Sequence, residues 1–284
     1  MSNMTKEELM WELSEKHGIT GFKTDRQKER DLEYYEKKDR QDKRHFSWQN
    51  SVNQVAIKYQ LNDIQKGSLL LMSTFLKNNG QGELYDTKGN HLTVNKLADL
   101  IGRSKKQADR IVDECENIGA VTTQREGKER IITFTDMIYT CGNLEGDNKK
   151  YAKVFKLAVR KLGSMLSLKE LGFLSDLLPH FHWESHILCE NPTWNGTEGM
   201  KVWRRKDIIE KLGYNRNVVT STFRKLKDND VILELSGKID VIYLSPNIVS
   251  RQSDKVTLEQ IEKVARSVAD NLCICQLKIR PHYN

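Results

Sequence analysis

Apolar residues return every three or four positions along most of the chain, with polar breaks between, and this spacing predicts a series of short amphipathic helices. The clearest case is 215–232, NRNVVTSTFRKLKDNDVI. Val219, Phe223 and Leu226 fall on one stripe, while Asn217, Thr220, Ser221 and Arg224 sit at i, i+3, i+4 and i+7 on another. A merely solvated face would carry more Glu and Lys pairs. Small hydroxyl and amide groups beside an arginine suit an anionic partner that also offers hydrogen-bonding edges.

The pattern occurs twice. Shifted by 111 residues, KLADLIGRSKKQADRIVDECENIGAV (96–121) falls without a gap on DIIEKLGYNRNVVTSTFRKLKDNDVI (207–232). Leu97 meets Ile208, Gly102 meets Gly213, Val112 meets Phe223 and Cys115 meets Leu226. With one residue removed, FTDMI (134–138) falls on LSPNI (244–248). Upstream, LNDIQKGSLLLMSTFL pairs with LSLKELGFLSDLL, setting Gly67 against Gly172, and both open with capping boxes, Asn62-x-x-Gln65 and Ser167-x-x-Glu170.

Each copy reads as a long apolar helix, a short helix, a tight turn (Gly102-Arg-Ser, Gly213-Tyr-Asn) and a longer amphipathic helix. A β-rich pair, VTTQREGKERIITF or VILELSGKIDVIYL, follows, with Gly127-Lys128 or Gly237-Lys238 at its tip. That order predicts a mainly α fold with small β-wings, as tandem winged helix-turn-helix domains plus terminal helices. The expected organisation is a charged helical arm over 1–50, a first domain over 51–142, a linker over 143–150, a second domain over 151–252, and a C-terminal helix over 253–284. Within the arm, residues 5–17 open with a capping box, TKEE, and 23–44 mix nine basic with seven acidic side chains, which suits a solvated helix or a disordered arm. In the last segment Leu258, Ile261, Val264, Ala265, Val268 and Leu272 form one stripe, for packing on its own domain or for a homodimer.

Charge separates the two copies. The net charge is +7 over 284 residues, which permits an acidic partner without requiring one. Residues 103–117 balance Arg103, Lys105, Lys106 and Arg110 against Asp109, Asp113, Glu114 and Glu116. Residues 214–228 set Arg216, Arg224, Lys225 and Lys227 against Asp228 alone, with Arg204, Arg205 and Lys206 just upstream. Phosphate binding follows cations, so the second copy is the expected main reader of a DNA duplex. There Asn217, Thr220, Ser221 and Arg224 would face base edges, and Arg204, Arg205, Lys206, Arg216, Lys225 and the wing Lys238 would face phosphate. In the first copy Lys105, Lys106, Arg110 and the wing Lys128 form a weaker reader or an assembly surface.

Other chemistry lacks parts. Five widely spread cysteines without a C-x-x-C suit reduced usage, so a cytoplasmic chain is expected, without a signal peptide and, for want of a long enough apolar run, without a membrane span. His180, His182, His186 and Cys189 in PHFHWESHILC offer metal donors, but no second pair completes a zinc pattern, so no metal is expected. His180-Phe181-His182 matches the His-hydrophobic-His pattern of metal-dependent nicking enzymes, whose nucleophile would have to be Tyr214, without the lysine such a site needs. No phosphate-binding G-x-x-x-x-G-K-[ST] occurs, no cofactor is implied, and the chain is expected not to be an enzyme.

From Val218 to Asp254 the second copy resembles the end of the winged-helix region in RepL-type replication proteins of small Gram-positive plasmids. The likeness rests on Thr222, Leu226, Val231 and Ile232, then Pro246-Asn247-Ile248 with the family's Asn-Pro order reversed; YAKVFKLAVRKL also resembles the family's opening segment. It spans about residues 151–254, leaving 1–150 outside. Tandem winged helices are also the layout of several plasmid initiators. The resemblance implies a plasmid or phage replication initiator that binds origin repeats and recruits host replication proteins. It fits a transcription repressor of a mobile element equally. A nicking enzyme and a protein-interaction adaptor are the rivals from other classes.

Overall fold

The computed structural model describes residues 4–17, 23–144, 148–236 and 240–277. Helix accounts for 48% of it and strand for 18%, in small antiparallel sheets, so the architecture is mixed and the mainly α expectation holds only roughly. Two compact units are present, one of 1–43 with 253–255 and one of 44–252 with 256–284. In the first, α1 (Lys6–His17) and α2 (Asp25–Arg40) bury no residue. The capping box expected at Thr5 forms, with Glu8 Oε2 accepting from the Thr5 amide at 2.8 Å. Past α2 the backbone pairs with 253–255, where the Lys255 amide donates to Arg40 O at 2.9 Å.

The second unit is built around a four-stranded antiparallel sheet ordered β4-β1-β5-β8: β1 (Phe46–Asn50), β4 (Tyr139–Thr140), β5 (Tyr151–Phe155) and β8 (Val249–Ser250). β1 lies within the stretch that charge assigned to the arm. Its alternation sends Ser47 and Gln49 to the helical side, where Gln49 Nε2 donates to the Tyr139 hydroxyl at 2.9 Å and to Ser175 Oγ at 3.0 Å. After β1 come α3 (Ser51–Ala56), α4 (Asp63–Ser73), α5 (Val94–Ile101), α6 (Lys105–Asn117) and the hairpin of β2 (Val121–Glu126) and β3 (Glu129–Phe134). After β5 the same order returns as α7 (Lys156–Gly163), α8 (Leu168–Leu177), α9 (Arg205–Leu212), α10 (Arg216–Asp228) and the hairpin of β6 (Ile232–Leu235) and β7 (Val241–Leu244).

A local dyad relates the two copies. In the β1–β5 register Phe46 faces Phe155 and Asn50 faces Tyr151, so shifting either strand by 105 residues reproduces the same pairing. The helices α4 and α8 approach one another in the same reciprocal way. A Cβ at Gly67 would stand 1.9 Å from Leu168 O, and one at Gly172 would stand 2.0 Å from Asp63 O. Each glycine therefore admits the start of the opposite helix. Both capping boxes form, at Asn62–Gln65 and Ser167–Glu170. One apolar core runs continuously through both copies.

Beside this crossing a polar cluster is buried. Lys66 Nζ lies 2.5 Å from Asp176 Oδ2, Gln54 Nε2 donates to Asp176 Oδ1 at 3.1 Å, and the Tyr214 hydroxyl is 2.8 Å from both Asp63 and Asp176. A buried pair of this kind is strongly destabilising to break from one side, by about 3–5 kcal/mol. It fixes the α9–α10 turn to the central helices.

α11 (Leu258–Leu277) packs back on its own chain. Ile261, Ala265 and Val268 are buried with Ile187, Cys189, Met200, Val241 and Tyr243 in a second small core. Of the two alternatives expected for this stripe, packing on its own domain is the one present from Leu258 to Val268, against the β6–β7 hairpin. No described helix is long and apolar enough to cross a membrane.

Candidate nucleic-acid interface

Both copies set a short helix and a longer one about a left-handed glycine, Gly102 (φ 61°) and Gly213 (φ 71°). The residue type follows from the angle, since side chains other than Gly are strained there. α10 starts at an Asn215 cap, whose side chain accepts from the Asn217 amide at 2.8 Å. It buries Val219, Thr222, Phe223 and Leu226, and its outward residues Asn217, Thr220, Ser221 and Arg224 line one shallow depression with Arg205, Lys225, Lys227 and Asp228. All four stripe residues are exposed. Thr220 and Ser221 donate to backbone carbonyls one turn back, at 2.9 and 3.1 Å, which leaves their lone pairs outward. Arg216, Arg224 and Lys206 make no hydrogen bond or ion pair with described residues.

Other expected contacts are engaged inside the molecule. Arg205 grips Glu234 of β6 with two hydrogen bonds of 2.8 and 2.7 Å, and Lys227 adds a third at 2.7 Å. Burial pushes the Glu234 carboxyl up, but these cations outweigh it and hold it below the usual range. Lys225 pairs with Glu170 at the start of α8 at 2.5 Å. Arg204 is half-buried. Lys238, at the tip of the second hairpin, lies outside the described residues.

The first copy ties helix to hairpin with the charges reversed. Arg130 of β3 donates to Asp113 at 2.6 Å, to Glu116 at 2.8 Å and to Thr123 Oγ1 at 2.9 Å, with Asp109 at 3.7 Å. Glu116 and Thr123 stand where the second copy has Lys227 and Glu234. Acids on the helix and a base on the hairpin thus become bases on the helix and an acid on the hairpin. Arg110 is drawn to Glu114 at 3.0 Å, whereas Lys105, Lys106, Arg125 and Lys128 are exposed without a partner among the described residues. The groove between α6 and its hairpin is lined by Lys105, Asp109, Asp113, Arg125, Lys128 and Arg130, a surface of mixed sign.

The histidine segment is packed rather than gathered about one point. His180 stacks on Trp203 with 4.2 Å between ring centres. His182 Nε2 is 2.8 Å from Trp194 O, its Nδ1 accepts from the Ser185 amide at 3.2 Å, and His186 Nδ1 is 3.3 Å from Leu244 O. Burial lowers all three, His180 to about 4 and His186 to about 3, and pushes the Cys189 thiol up to about 12. Among the described residues no three His, Cys, Asp or Glu side chains come together as a metal would need. Tyr214 lies against two carboxylates, and burial together with those charges raises its hydroxyl far above the ordinary value, the opposite of what a nucleophile requires.

Sequence reasoning did not find Arg130, Glu234 or the Tyr214–Asp63–Asp176 contact. The first two had a readable signal in the exchange of charge at aligned positions, Glu116 for Lys227. The third joins residues far apart in the chain and had none.

No family model matches the chain, and neither the curated proteins nor the solved structures searched contain a match.

Proposed function

We propose that this chain binds duplex DNA sequence-specifically, with its two helix-turn-helix-hairpin units serving as tandem winged helices and α10 as the main reading helix. One observation carries the reading: Asn217, Thr220, Ser221 and Arg224 form a continuous exposed face opposite the buried Val219–Phe223–Leu226 side, and nothing among the described residues engages Arg224. Arginine suits the paired acceptors of guanine, asparagine the adenine edge, and hydroxyls either. Arg216 and Lys206 supply phosphate contacts beside it. The helix–hairpin ion pairs hold the reading face rigid, which favours a fixed register on the duplex.

The biological role we assign is initiation of replication on a plasmid or phage element, through binding to its origin repeats and recruitment of host replication proteins. A transcription repressor of the same element would use the same face; loss of replication against derepression of a promoter on gene deletion separates the two. The mixed charge around α6 also fits a protein partner there, with α10 carrying most of the DNA affinity.

The direct test is selection of bound duplexes from a random pool, followed by variants on the selected site. Arg224→Ala loses about 1–3 kcal/mol and relaxes preference at one base position, whereas Lys206→Ala weakens all sequences alike and reduces the salt slope by about one. Uniform weakening by both variants refutes the assignment of Arg224 to a base. No duplex affinity at moderate salt refutes the reading as a whole and favours the adaptor.

A further inference from the structure

We infer that a single chain presents its two reading helices as a symmetric dimer would, so that it recognises one duplex through two half-sites of opposite orientation and unequal strength. The inference rests on the DNA-binding reading above and adds the form of the site. Its ground is the dyad. The β1–β5 register is self-complementary under the 105-residue shift, and Gly67 and Gly172 make reciprocal close approaches to Leu168 O and Asp63 O.

The reading helices follow that axis. In the second copy α10 rests on the start of α8 through Lys225–Glu170 at 2.5 Å. The equivalent residues of the first copy, Glu114 and Gln65, line one cleft between α6 and the start of α4. Each copy also repeats the ion-paired link from reading helix to hairpin, with reversed sign. The rotation that carries α4 onto α8 therefore carries α6 onto α10.

A two-fold axis perpendicular to a duplex reverses strand sense, so heads related by it meet half-sites in inverted order; heads related by translation would meet direct repeats. The half-sites differ in sequence, because no outward residue is shared: Lys105, Lys106, Asp109, Arg110 and Asp113 stand against Arg216, Asn217, Thr220, Ser221 and Arg224. They differ in strength because the outward face of α6 carries the carboxylates Asp109 and Asp113 where α10 has Thr220 and Arg224, and a carboxylate repels phosphate.

The experiment uses the full chain on the duplex recovered from random-pool selection. Four single variants, Lys105→Cys and Asn117→Cys at the two ends of α6 and Arg216→Cys and Asp228→Cys at the two ends of α10, each carry a DNA-cleaving iron chelate; the unsubstituted chain, treated alike, gives the background from its own cysteines. The expected result is one chain per duplex with cuts in mirrored order, amino end to carboxyl end for one helix and carboxyl end to amino end for the other. Cuts running in the same order for both helices, cuts from α10 alone, or two chains on each site overturn the inference and leave the DNA-binding reading standing. Failure to recover any duplex ends both. A second arm gives both heads one face, through Lys105→Arg, Lys106→Asn, Asp109→Thr, Arg110→Ser and Asp113→Arg. That variant is expected to bind an inverted repeat of the strong half-site at least ten-fold tighter than a direct repeat at the best spacing of each. Equal or reversed preference overturns the inference.

Discussion

The contact between α4 and α8 can be tested through its two glycines. Alanine at Gly67 places a methyl 1.9 Å from the backbone oxygen of Leu168, and alanine at Gly172 places one 2.0 Å from that of Asp63. A real Cβ comes no nearer than about 3 Å to such an atom, so the helices must separate by about 1 Å. A backbone carbonyl has no rotamer by which to retreat. A gap of this size forfeits a quarter to a half of each affected dispersion contact, in a region where Leu69, Leu70, Leu171 and Leu174 are all buried. Overpacking of this kind costs about 3 kcal/mol at the upper end of its usual range, and alanine returns under about 1 kcal/mol of helix propensity. Each single variant should therefore lose about 2–3 kcal/mol. Since one separation relieves both clashes, the double variant should lose about 3 kcal/mol instead of the sum. Gly163→Ala is the control: the three atoms nearest its methyl all belong to the Leu71 side chain, the first at 2.7 Å, which can turn aside, and it should cost less than about 1 kcal/mol. Equilibrium urea unfolding followed through buried Trp48 and Trp203 reads all four proteins. Single losses below about 1 kcal/mol, or a double variant that equals the sum, would refute the reciprocal approach.

Two further outcomes follow from charged and titrating groups. Glu234→Ala removes the acid that holds Arg205 and Lys227, so thermal stability should fall by about 1 kcal/mol, kept small because both cations are partly in water, while under the proposed DNA-binding function affinity for any duplex should rise; a parallel fall in affinity would show that the ion pair positions the helix more than it masks charge. His186 is fully buried and lowered to about 3, with Arg251 and His182 adding to the effect of burial, against an unfolded value near 6.5. A depressed value stabilises the fold above the unfolded pKa, and that contribution is lost as pH falls toward the folded one. Between pH 7.5 and 5 the residue should cost about 2 kcal/mol of stability, and His186→Asn, which accepts the left-handed backbone there (φ 57°), should flatten the dependence by that amount in urea titrations at the two pH values.

Much of this protein is written locally. Helical spacing, capping boxes at Asn62 and Ser167, and glycines at 102 and 213 each act within one turn of chain, so the sequence alone determined the two successions of helix, helix, turn, helix and hairpin, and also which face of α10 is polar. The repeat itself was visible because burial constrains the same positions in both copies. What tertiary structure decided is how the copies meet. β1 and β5 are five residues long and flanked by two-residue edges, too short for periodicity to announce, and only their pairing shows that the copies share one sheet and one core. The reciprocal fit of Gly67 and Gly172, the choice of α11 to cover its own hairpin, and the division of cations into engaged Arg205, Lys225 and Lys227 and, among the described residues, unengaged Arg216 and Arg224 all depend on distances between residues far apart in the chain. A charge is read from sequence, but its partner is set by packing, because an ion pair forms with whatever the fold brings within a few ångströms.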